Sequence, residues 1–194
     1  MFTWCVFTFW LAAAILILAG FGQSVLEFHG ISRCWAGFVM VSVLLFSLMG
    51  FLWYPSIREG LGNYLWCCLA IALFVKKSLP LWGQTGITTV ALALIRHLAP
   101  LNPHRVMMVN WMVWESVAGG LLPGLVTPDP LWSALSAAAV TSQSGTILSV
   151  MTGHLHVTTT RDLAFSLAAT MIAWSVSWVL NEIANLWRTR HVHW

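Results

Sequence analysis

Charge is what this chain most lacks. Nine Lys or Arg and six Asp or Glu amount to 8% of its 194 residues, where water-soluble domains carry roughly a quarter. A surface that meets water on every side cannot be built from so few charges, so an ordinary soluble globule is excluded. The cations stand singly or in one pair, Lys76-Lys77, which excludes the basic patch that nucleic-acid binding needs. Cysteine is sparse too. Cys5, Cys34, Cys67 and Cys68 form no C-x-x-C, so a thioredoxin-type motif or zinc ribbon is absent and the four read as small packing residues. No phosphate loop, dinucleotide fingerprint or metalloprotease motif occurs.

What is present is apolar. The chain is 59% hydrophobic with a mean hydropathy of +0.81, so the solvent it is built for is lipid. Apolar windows bounded by charges and turn residues predict an all-α, polytopic transmembrane bundle, a single integral membrane domain over 1–194. The spans fall at about 2–22, 35–53, 61–75, 79–95, 106–126, 131–152 and 162–187. The first is apolar for about 20 residues and has no basic residue before it, so it reads as a retained helix rather than a secretory signal. The fourth carries Gly83, Gln84, Thr85, Gly86, Thr88 and Thr89 and has a second reading as a re-entrant segment buried in protein. Seven spans is the first reading, six plus a re-entrant segment the runner-up.

Connections are short, so any function resides in the bundle, at its rims or with partners. Loop cations divide five against four in the seven-span version, with Arg96 counted at a rim, and lean towards a cytoplasmic C-terminus in a bacterial-type inner or plasma membrane. Of the 13 Trp, Trp4, Trp35, Trp53, Trp82, Trp132, Trp187 and Trp194 lie near span ends, where indoles suit the headgroup boundary. Trp111, Trp114, Trp174 and Trp178 fall deeper and call for packing or hydrogen-bond partners.

Two intramembrane polar residues stand out in the fifth span: Asn110 and Glu115. Five residues apart, they are separated by about 140° around a helix and do not share a face. A buried carboxylate costs several kcal/mol unless paired or protonated, so Glu115 is expected to face protein. Its expected neighbours are Asn110, Gln84, Thr88 or Thr89, or a partner subunit. It then serves either as interhelical glue or as a proton or cation site. In the last span Asn181, Asn185 and Arg188 follow i, i+4, i+7 and form a polar stripe expected to face the bundle, with Glu182 near the water interface. Glu115 and Glu182 fall at different depths, which argues against a paired-carboxylate site.

The pairs His154/His156 and His191/His193 have His-x-His spacing, which can supply two metal ligands. The last span separates them onto opposite faces, so one subunit cannot complete a site from both. No metal, haem or other cofactor is expected. Around Ser144-Gly145 the segment TSQSGTILSVMTGH resembles the nucleophile segment of the rhomboid intramembrane proteases. That family pairs its Ser with a His on a later span, and residues 163–187 contain none. The Gly that the family has two residues before the nucleophile is here Ser142. The small residues from Ser133 to Ser149 instead describe a close-packing helix.

These features lead to a non-catalytic integral membrane subunit of a larger complex. Its partners are the bilayer and other membrane proteins or further copies of itself, in a transport, secretion, conjugative-transfer or respiratory assembly. The competing reading is a small transporter or channel whose pathway uses Glu115, Asn110 and the polar 84–89 segment. An intramembrane serine protease is the remote third.

Overall fold

The computed structural model describes residues 2–28, 30–53, 68, 79–98, 111–127, 129–153 and 160–191, and every regular element among them is an α-helix. These are α1 (Phe2–Leu18), α2 (Gln23–Phe28), α3 (Arg33–Trp53), α4 (Leu79–Leu98), α5 (Trp111–Val126), α6 (Pro130–Thr152) and α7 (Thr160–His191). Of the window expected at 61–75 only residue 68 is described. The 79–95 segment is part of one 20-residue helix.

Among the described residues one helical stretch, Asp162–Arg188, is long and apolar enough to cross a membrane by length and composition. Shorter apolar stretches occupy Trp4–Leu18, Arg33–Leu45 and Met112–Val126. The exterior is correspondingly hydrophobic: Phe9, Phe38, Ile87 and Leu125 are each more than 60% exposed, an arrangement that suits lipid or protein contact rather than water.

α4 to α7 pack as a bundle. α5 and α7 run parallel, since Gly119 lies by Ala169 and Gly124 by Val176. α6 runs against α7, because Thr141 bonds Ser166 at 2.9 Å while Ser133 bonds the Ala173 carbonyl at 3.1 Å. α4 runs with α6, joined by Thr85 to Ser136 at 3.1 Å and Arg96 to Ser144 at 3.3 Å. Successive helices thus alternate in direction through the bundle.

Composition explains the closeness. A Cβ at Gly120 would fall 2.6 Å from the Ile172 Cβ and 2.7 Å from the Ala169 carbonyl, so only glycine lets α5 approach α7 there. On α6 the run Ser133–Thr141 is buried without a break. Those small side chains are consumed by contacts within the chain. Hydroxyls on this wall either return to their own helix carbonyls or bridge to a neighbour, which keeps buried polar groups satisfied.

α6 is delimited at both ends. Asp129 accepts from the Leu131 and Trp132 amides at 3.0 and 3.3 Å, Pro130 opens the first turn, and Gly153 closes the helix at φ +69°. This is the side-chain N-cap and left-handed C-cap that Asp-Pro and Gly favour.

α1 and α3 form an antiparallel pair, with Leu18 beside Gly37 and the Trp10 indole donating to the Met40 carbonyl at 3.3 Å. The pair leans on α6 and α7 through a core that includes Val6, Trp10, Val43, Leu135, Ala138 and Leu167.

Candidate functional site

The charged residues that lie inside the bundle meet at one of its ends. Arg96 stands two residues before the end of α4, Asp162 two after the start of α7, and Glu115 in the first turns of α5. Since α4 runs against α5 and α7, its C-terminal turn meets their N-terminal turns. α6 passes alongside and brings Ser144 to the same level.

The Arg96 guanidinium is the hub. Its Nε pairs with Glu115 Oε1 at 3.5 Å, one terminal nitrogen donates to Asp162 Oδ1 at 3.3 Å, and the other donates to Ser144 Oγ at 3.3 Å. The three charged side chains are 8% (Arg96), 15% (Glu115) and 15% (Asp162) exposed. The guanidinium carbon lies 5.1 Å from the centroid of the Phe165 ring, within the range of a cation–π contact. Phe165 packs with Leu92 and Val140, so an apolar layer backs the charges. A planar fork with several donors is suited to hold groups from three helices at once.

This corrects two expectations. Arg96 is not a rim cation but an interior partner. Glu115 meets Arg96, a cation not among the neighbours expected for it. Gln84 is exposed on the outer side of α4. Thr88 and Thr89 are buried, and their hydroxyls donate to carbonyls of their own helix at 2.6 to 3.0 Å. Asn110 lies outside the described residues. Sequence reasoning missed Arg96 and Asp162 because both stand within two residues of a helix end, where a charge ordinarily reaches water. The one available signal was Glu115 itself, which required a partner.

Ser144 is fully buried, and its hydroxyl is engaged on both sides. It accepts from Arg96 and donates to the Thr141 carbonyl at 2.9 Å. A nucleophilic serine needs a general base within hydrogen-bond reach, and these contacts supply a cation and a carbonyl instead. His154, His156 and His193 lie outside the described residues. Among the described residues no cluster of three or more His, Cys, Asp or Glu could hold a metal ion.

The other polar candidates fall elsewhere. Ser177 donates to the Thr127 carbonyl at 3.0 Å, beside the turn that joins α5 to α6. Past this point α7 outruns the bundle, and every residue from Trp178 to Arg188 is exposed, Asn181, Glu182 and Asn185 included. The stripe expected to face the bundle lies beyond it, at the opposite end from Glu115.

The deep tryptophans divide. Trp174 is half-buried, whereas Trp114 and Trp178 are 56% and 52% exposed. Cys5, Cys34 and Cys68 are free and exposed rather than packed. No family model, no curated protein and no solved structure matches this chain.

Proposed function

We propose that this chain is a non-catalytic integral membrane subunit that assembles with other membrane proteins. The observation that carries the reading is the outward side of α4. Gly83 and Gly86 are exposed there, and a Cβ on either would meet nothing within 4 Å. Ile87 is 73% exposed beside them, with the Gln84 amide on the flank. Glycines bring helix backbones together, as Gly120 does inside this chain, and an amide at a helix contact acts as interhelical glue. Among the described residues the pair on α4 has no such use. A helix of another protein would use both.

The test is purification in mild detergent with mass measurement of everything that co-elutes. Stoichiometric foreign subunits, released by Gly86→Leu from a protein that still folds, are the expected result. A homogeneous species containing only this chain, unchanged by Gly86→Leu, sinks the reading.

A second reading, a small transporter or channel, is favoured by the Arg96–Glu115–Asp162 cluster, because ionisable groups at membrane depth commonly mark ion or proton pathways. Its route differs from the one the sequence suggests, since Gln84 faces outward and Thr85, Thr88 and Thr89 serve helix packing. Reconstituted vesicles distinguish the two. Proton or cation flux that Glu115→Gln abolishes, with assembly intact, supports transport.

A further inference from the structure

A cavity of about 360 Å³ opens between the α1–α3 pair and the α6–α7 wall, at the bundle end opposite Arg96. Its inner end is closed by Trp10 and Met40, the pair joined by the indole hydrogen bond. Its outer end is framed by Phe21, Gly22 and Trp35, from the turn after α1 and the start of α3. Leu135 and Trp174 line the far wall.

The lining offers an occupant almost no polar atom. Thr170 and Ser175 contribute to the wall, but their hydroxyls donate to the Ser166 and Met171 carbonyls of α7 at 2.7 and 2.9 Å. Water needs two to four polar partners to occupy a cavity, so hydrocarbon suits this one and water does not. From Trp10 to the end of α1 at Leu18 the slot runs about 12 Å at 1.5 Å per residue, and the turn carries it further. Half of a hydrocarbon core of about 30 Å is roughly the reach of one leaflet's acyl chain. The volume lies at the small end of ligand cavities, which run about 300–1,000 Å³, and so suits one chain rather than two.

The rim is polar and carries a cation. The Arg33 guanidinium lies 3.6 Å from where a Cβ on Gly20 would stand, next to the cavity residues Phe21 and Gly22. Arg33 is the cation over the Gly20 turn, and the Glu27 carboxylate, which accepts from the Gln23 amide at 2.5 Å, is the anion on the α2 side of the rim.

We propose that this slot holds one acyl chain of an anionic phospholipid, with the headgroup phosphate at Arg33 and the hydrocarbon running inward to Trp10. The proposal rests on the membrane reading of the chain.

Native mass spectrometry of the full chain, stripped of lipid and offered equal phosphatidylglycerol and phosphatidylcholine, tests it. One phosphatidylglycerol retained per chain is expected, with about fivefold preference over phosphatidylcholine, the size of one basic residue near an anionic headgroup. Arg33→Gln should erase that preference. Ala36→Phe, which fills the slot from α3, should lower retention on the order of tenfold or more. If Ala36→Phe does not elute as a folded, monodisperse species, Ala13→Phe on α1 serves instead.

Full retention in a folded slot-filling variant, or an unchanged preference in Arg33→Gln, overturns the proposal. So does retention of no lipid, or an equal offer of oleate displacing the phospholipid, which would assign the slot to free fatty acid. Release of the chain from membranes by an alkaline wash would instead sink the membrane reading itself.

Discussion

Arg96 on α4 pairs with Glu115 on α5 at 3.5 Å, with the guanidinium 8% and the carboxylate 15% exposed. Removing one partner of a buried pair typically costs about 3–5 kcal/mol, because the other charge stays behind uncompensated. Arg96→Ala, which takes this partner from both Glu115 and Asp162, should destabilise the folded protein in detergent more than Glu115→Ala, which leaves Arg96 with Asp162. Because the residues touch, the double variant should depart from the sum of the singles by about 0.5–3 kcal/mol. Unfolding by denaturing detergent, followed by circular dichroism, measures all four corners. Additivity within about 0.5 kcal/mol would show that the pair contributes nothing.

Ser144 should behave as a packing and hydrogen-bonding residue. Ser144→Ala loses the contact from Arg96 and should cost about 1.5–3 kcal/mol, as for a hydrogen bond to a charged group. Ser144→Leu adds volume at a fully buried site and should cost a further 1–3 kcal/mol, roughly, from over-packing. A fluorophosphonate probe should leave Ser144 unlabelled. Specific labelling that Ser144→Ala removes would restore the protease reading.

Glycines on α5 and α4 should respond in opposite ways. Gly120→Ala drives a methyl into the Ile172 Cβ and the Ala169 carbonyl and should destabilise the isolated chain by about 1–3 kcal/mol. Gly83→Ala meets open space and should be neutral or stabilising by about 0.5–1 kcal/mol through helix propensity. Thermal unfolding of the purified chain checks both. A Gly120→Ala protein as stable as the parent would mean that α5 and α7 do not approach this closely.

Membrane topology has a direct probe. In a background without Cys5, Cys34, Cys67 and Cys68, single cysteines at Arg58 and Asp129 should label from opposite sides if seven spans cross. Labelling from the same side requires six, with the α4 segment returning to the face it entered. The continuous helix Leu79–Leu98, running parallel to α6, favours opposite sides.

The helices were more legible than their meeting points. Apolar windows bounded by turn residues are local signals, and α6 (Pro130–Thr152) falls on one of them. Glu115 was legible as a residue in need of an interior partner. The identity of that partner was not, because it depends on three chain ends converging, and Arg96 beside His97 has the local appearance of a helix terminus. The same limit applies to α7. The stripe Asn181, Asn185, Arg188 has the spacing of a buried face, but a periodic pattern does not say where the neighbouring helices stop. Gly83, Gly86 and Gly120 are equivalent as letters, and only the packing of α7 on α5 separates the last from the first two.

The unequal lengths of α6 and α7 have a mechanical consequence. At about 1.5 Å per residue, the 23 residues of α6 measure about 35 Å and the 32 of α7 about 48 Å. α7 is fastened to α6 at Ser166 and Ala173, so the two helices move together rather than tilting independently. α7 continues as a stiff post past the α5–α6 turn, where Ser177 bonds the Thr127 carbonyl. The fourteen residues from there to His191 span about 21 Å. Whatever meets the tip of that post is held off the bundle at a standoff set by backbone geometry, not by a flexible tether.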